Sequence, residues 1–204
     1  INKYILEHYD ISNVVFVGCS AGSVAAVSLC IGTKHAEFND LLIQSLDDIR
    51  RLNVSQGSLF KDGIVGKEGL SNLKAHLGRI IEASGKFGEV QEKCTIVATR
   101  LEDMCAQTEY INNWNTPDDL VECIAASCFI PFVFGDLSTK YRGVDYIDGG
   151  ALQSKLNIDD TRDWIHITLY TFKRFNENPF QAAINLAALL FSANQNLASY
   201  LIRL

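Results

Sequence analysis

The stretch Val14-Val15-Phe16-Val17-Gly18-Cys19-Ser20-Ala21-Gly22-Ser23 constrains this chain more than any other. Val14 to Val17 are consecutive apolar residues, mostly β-branched, and read as a short buried strand. Gly18 to Gly22 fit the pattern G-x-S-x-G, and the small-residue run from Val24 to Cys30 reads as a helix packed closely on a sheet. Strand, sharp turn and helix are the parts of a nucleophile elbow, with Ser20 exposed at the strand's carboxyl end. The sharpness of the turn predicts that a Cβ at Gly18 or Gly22 would collide with neighbouring backbone. Backbone N–H groups where the helix begins, around Ala21, would stabilise an oxyanion. The plainer reading is a glycine-flanked serine in an ordinary strand-to-helix turn.

A length of 204 residues suggests one domain with a sizeable core. Hydrophobic residues at 48% and charged residues at 21% are ordinary for a soluble globular protein and exclude disorder as the main state. The net charge of −6 argues against a general electrostatic grip on nucleic acid or anionic lipid, though not against membrane contact through apolar surface. None of the cysteines at 19, 30, 94, 105, 123 and 128 forms a C-x-x-C pair, and no Cys/His cluster has zinc spacing. They read as reduced, buried thiols of a cytoplasmic protein. No metal or nucleotide site is visible, so no cofactor is expected. Gly63 to Lys67 lack the spacing of a phosphate loop. The chain begins with Ile rather than Met and inside a helical pattern, which reads as a fragment of a longer protein.

In chain order, residues 1–9 read as a helix, 14–17 as a strand and 21–32 as a helix. Amphipathic helices are expected over 35–52 and 68–84, separated by a glycine-bearing loop, with Gly85 and Gly88 opening a polar turn. Residues 94–99 and 105–111 read as paired strands. Thr116-Pro117-Asp118-Asp119 is a strong helix start, and Ile130-Pro131 ends that helix. Residues 141–147 and 164–170 read as strands, and the chain turns helical from Pro179. The Ala/Leu-rich run 182–193 is too short to span a bilayer and reads as a packed helix or one that docks on a membrane or partner. His8, His35 and His76 are expected to face solvent.

Asp148-Gly149-Gly150 follows a strand, as the serine turn does, and strand ends carry the working residues of open α/β sheets. Only the fold could bring Asp148 to Ser20. Together with Ala125-Ala126-Ser127-Cys128-Phe129-Ile130-Pro131, these motifs make the chain resemble the patatin-like phospholipase family, especially its eukaryotic triglyceride-lipase branch. The order and spacing agree over roughly residues 1–172.

The resemblance implies a three-layer α/β/α fold with a central mixed, mainly parallel sheet, truncated at its N-terminus. It implies a lipid acyl hydrolase domain over 1–172 and a helical extension over 173–204. Ser20 would attack an ester carbonyl and form an acyl-enzyme, and Asp148 would be its base, with no histidine required. Gly18, Ala21, Gly22, Gly149 and Gly150 would support the elbow and oxyanion. The family's glycine-rich oxyanion loop falls before Ile1. After the D-G-G motif, Ala151 to Asn157 depart from the Asp-Asn and proline of many relatives. The implied partner is a lipid ester, met at a membrane or lipid-droplet surface by a cytoplasmic protein. Three other readings stay open: a Ser–His–Asp triad using His166, a thiol mechanism at Cys19, and an inactive lipid-binding scaffold that kept the fold.

Overall fold

The computed structural model describes residues 2–32, 66–102, 105–131, 133–152, 163–165 and 167. The chain forms two compact units, Ile1–Gly149 and Gly150–Leu204, and the sheet with its helices belongs to the first. The boundary expected at 172–173 falls outside the described residues, as do the helices expected over 35–52 and from Pro179, together with His35 and His166. Of the strand expected over 164–170, Trp164, Ile165 and Ile167 are described and lie in no regular element.

Helix α1 (Asn2–His8) leads into β1 (Phe16–Cys19) and α2 (Ala21–Ile31). The strand begins two residues later than the apolar run suggests. The Val14 amide donates to the Ile11 carbonyl at 3.2 Å, closing a turn that leaves Val14 exposed. Helix α2 is buried from Ser23 to Ile31 apart from Ala25, as a helix apolar on nearly all sides must be. Gly32 ends it in the left-handed region, φ 64°.

Helix α3 (Gly66–Ser84) buries Leu70, Leu77 and Ile81 and stops at Gly85, also left-handed at φ 64°. The polar turn expected next is instead a short helix, α4 (Phe87–Lys93), with Val90 its single buried residue. Seven residues with two apolar anchors, Phe87 and Val90, and Gly88 inside carry too little periodicity to be recognised. His76 also differs from expectation. It is buried on α3, with its Nδ1 2.5 Å from Arg79 Nη2. Its position one residue before Leu77 draws it under the apolar face.

Strand β2 (Cys94–Glu102) is the backbone of the sheet. It pairs in parallel with β1 and antiparallel with β3 (Cys105–Ile111) and with β5 (Val144–Ile147), which in turn pairs antiparallel with β4 (Thr139–Tyr141). The sheet is mixed, as expected, but among the described strands the parallel pairing is β1 with β2 alone. The connections explain this for every pair but β2 with β5, which are far apart in the chain. Short reversals between Glu102 and Cys105 and at Arg142-Gly143 join antiparallel neighbours, whereas the long excursion through α2 and α3 allows a parallel return. The strand expected over 141–147 is β5 from Val144, and its first residues belong to β4 and this second reversal. Arg142 and Gly143 have φ of 48° and 81°, the positive pair of a two-residue hairpin turn.

Ile96 and Ala98 on one face of β2, and Val97 and Thr99 on the other, have no exposure, the burial of a middle layer. Helix α5 (Pro117–Ser127) buries Leu120, Val121, Cys123, Ile124, Ala125, Ala126 and Ser127. Its start is as the sequence predicts: Thr116 Oγ1 accepts from the Asp119 amide at 3.1 Å, with Pro117 in the first turn.

Candidate active site

The register of β2 decides where the site lies. Residues 96–102 of β2 pair with β3 along one edge. Residues 94–97 pair with β1 and 99–101 with β5, so both must occupy the opposite edge. One runs parallel to β2 and the other antiparallel, so they approach each other end to end. Cys19 closes β1 opposite Val97, and Ile147 closes β5 opposite Thr99. The next residues are Ser20 and Asp148, which meet over the gap. Ser20 Oγ donates to Asp148 Oδ2 at 2.5 Å. Asp148 is buried and Ser20 half-buried.

Each backbone is fixed on both sides of this contact. Ser20 has φ 56° and ψ −132°, a conformation that costs a non-glycine residue about 1–3 kcal/mol. Its carbonyl accepts from the Ser23 amide at 2.8 Å and from Ser23 Oγ at 2.5 Å. Its amide donates to Ser127 Oγ at 2.9 Å, and Ser127 Oγ donates to the Val97 carbonyl at 2.6 Å. The Asp148 amide donates to the Phe129 carbonyl at 2.7 Å, and Thr99 Oγ1 donates to the Asp148 carbonyl at 2.9 Å. Ser23, Thr99 and Ser127 are fully buried polar residues in apolar elements. The sequence reading assigned none of them a role. Their signal was a hydroxyl within or at the end of a run of small and apolar residues.

The glycines separate into different cases. A Cβ on Gly18 would lie 2.5 Å from the Gly22 carbonyl oxygen and from Ser23 Cα. A Cβ on Gly149 would lie 2.1 Å from the Val97 oxygen. Gly22 corrects the expectation: an added Cβ meets nothing within 4 Å, because the first turn of α2 is exposed there. Gly150 opens the second unit. Ala21 is exposed at the first position of α2.

Cys19 sits under the pair, and burial followed by the charge of Asp148 raises its thiol pKa above the ordinary value. Cys128, whose Sγ lies 3.7 Å from Ser23 Oγ, is pushed up to about 12 by the same two causes in the same order. Both shifts disfavour the thiolate, the form that a thiol nucleophile needs.

A family model described as patatin-like phospholipase matches residues 11–162. The chain is 28% identical over 140 residues to the 1-acylglycerol-3-phosphate O-acyltransferase Pnpla3 of Mus musculus, covering 67% of this chain and 31% of that protein. It is 27% identical over 140 residues to the omega-hydroxyceramide transacylase of Homo sapiens, covering 66% and 24%. It is 26% identical over 136 residues to the human patatin-like phospholipase domain-containing protein 4, covering 66% and 50%. The chain thus spans half or less of the length of each of these relatives.

Proposed function

The chain belongs to the patatin-like phospholipase family, and on that premise we propose that it carries the Ser–Asp centre of a lipid acyl hydrolase. The observation that carries this reading is the 2.5 Å hydrogen bond from Ser20 Oγ to Asp148 Oδ2. In the proposed reaction Asp148 takes the Ser20 proton as Oγ attacks the ester carbonyl. The tetrahedral oxyanion collapses to an acyl-enzyme, and Asp148 returns the proton to the departing alcohol. Water then attacks the acyl-enzyme with Asp148 again as base, releasing the fatty acid and restoring Ser20.

The Ser20 amide is engaged by Ser127 Oγ, so the oxyanion donors proposed here are the next amides, beginning with Ala21. N–H groups in the first turn of a helix have no intrahelical acceptor, and the helix dipole favours negative charge beside them. A lipid ester is presented at a membrane or droplet surface, and the proposed site works there. Among the described residues no helix is long and apolar enough to cross a membrane.

The relatives favour a second reading of the same centre. Two of them are named for moving an acyl group to an alcohol rather than to water. The acyl-enzyme step is common to both outcomes, and only the acceptor of the second half-reaction differs.

The test is a fluorophosphonate probe on the full-length protein. Ser20 should be labelled, and Ser20→Ala should not react. Asp148→Asn should lower the labelling rate by about 10²–10⁴-fold. A folded wild-type protein that never labels points to the inactive scaffold. Acyl release from a radiolabelled phospholipid, with and without a monoacylglycerol phosphate acceptor, separates hydrolysis from transfer.

A further inference from the structure

We propose that Ser127 is a positioning residue for the nucleophile, an inference that rests on the reading of Ser20 as that nucleophile. Ser127 is the last residue of α5, distant in sequence from the serine turn and fully buried. Its single hydroxyl acts as acceptor and donor at once. It accepts from the Ser20 amide at 2.9 Å and donates to the Val97 carbonyl at 2.6 Å.

These two groups are not arbitrary. The β1–β2 ladder closes at Cys19 opposite Val97. In a parallel pair, a carbonyl that points at the neighbouring strand, as that of Val97 does, faces the amide one residue beyond its partner. The Ser127 hydroxyl stands between that amide and that carbonyl, replacing a direct rung with a longer bridge. The ladder therefore stops at Cys19, and Ser20 is free to take its positive φ of 56°. The same Val97 carbonyl crowds Gly149, the residue after Asp148. The Val97 oxygen is thus a common reference for both halves of the pair, and Ser127 ties the serine half to it. A direct rung between Ser20 and Val97 would draw the turn toward β2 and take Oγ out of line with Asp148.

Removing the hydroxyl is expected to disturb the reacting geometry more than lipid binding. In the full-length protein, Ser127→Ala should lower kcat per titrated site by about 10²-fold, the scale of a displacement near 1 Å. KM should stay within about twofold. Active sites are titrated with the fluorophosphonate probe, and its second-order labelling rate should fall in parallel with kcat. Titration is the discriminating step, because a merely structural role lowers the fraction of competent protein and leaves the rate per titrated site intact. That outcome, or a raised KM at unchanged kcat, overturns the proposal. Ser127→Cys keeps the shape with weaker hydrogen bonding and should fall between wild type and Ala. If the Ala variant does not fold, a wild-type rate per site in the Cys variant overturns it instead. A folded wild-type protein that fails to label at Ser20 overturns the nucleophile reading as well. Wild-type labelling with an unaltered Ser127→Ala rate overturns this inference alone.

Discussion

Gly18 and Gly22 bracket Ser20 alike in the motif and differ in the space around them. A methyl group on Gly18 meets backbone atoms of Gly22 and Ser23 at 2.5 Å, and these cannot yield without moving the turn that holds Ser20. Gly18→Ala is therefore expected to cost about 1–3 kcal/mol and to abolish labelling of Ser20. Gly149→Ala should behave in the same way, since its methyl group would lie 2.1 Å from the Val97 oxygen. Gly22→Ala should keep full stability or gain up to roughly 1 kcal/mol, because the site is open and helical. Urea unfolding of the three variants tests the distinction, and equal losses at positions 18 and 22 would refute it. The motif was legible from residue identity, whereas the different reasons for its two glycines were not. Each depends on which backbone lies opposite, and that is set by the packing of α2 against β1.

At the scale of elements, the β4–β5 hairpin delivers Asp148, and its tip is fastened to the start of α5. Arg142 donates to both Asp119 carboxylate oxygens and, at 2.9 Å, to the Asn113 carbonyl, and its guanidinium lies 5.0 Å over the Tyr141 ring. The clasp holds a non-glycine residue at φ 48° and links the strand before Asp148 to the helix that ends at Ser127. The Arg142 guanidinium is also the first cause holding the Asp119 carboxyl below its ordinary 3.8. A carboxyl depressed in the folded state contributes stability that is present above the unfolded pKa and lost as pH falls through the folded one. The stability gap between wild type and Arg142→Ala should therefore be full above about pH 4 and shrink below it. Thermal unfolding across pH 2.5–7 reads this, and a gap unchanged at low pH would mean that stacking on Tyr141, not charge, holds the tip. Thr116→Ala should cost a further ~1 kcal/mol through the lost cap. The cap, the proline and the two acids were plain in the sequence because capping is local. The clasp was not, because Arg142 and Asp119 are joined only by the fold.

For the whole sheet, the meeting of β1 and β5 end to end on one edge of β2 is the feature on which the site depends. The individual strands could be read from their apolar runs, and the pairing of 94–99 with 105–111 from their proximity. Which edge β5 joins, and in which direction, is a long-range choice that no window of sequence encodes. The same core that makes this choice also holds Cys30, Cys94 and Cys123, contributed by α2, β2 and α5 to one buried cluster. Burial raises the Cys123 thiol to about 11, and the neighbouring Cys30 thiol, then burial, raises Cys94 above its ordinary value. Cys105 is instead exposed at the start of β3, against the expectation of uniformly buried thiols. A thiol reagent at neutral pH should thus modify Cys105 in the native protein within the mixing time of a slow assay. Cys30, Cys94 and Cys123 lie on three elements that share one packing surface, so none can be exposed without opening the others. Their modification should follow a single rate, equal to that of global opening and accelerated in parallel by urea. Peptide mapping by mass spectrometry at successive times measures all four together. If Cys30 were modified well before Cys94 and Cys123, α2 would open independently of the sheet, and the serine turn at its start would be a separately mobile part of the fold.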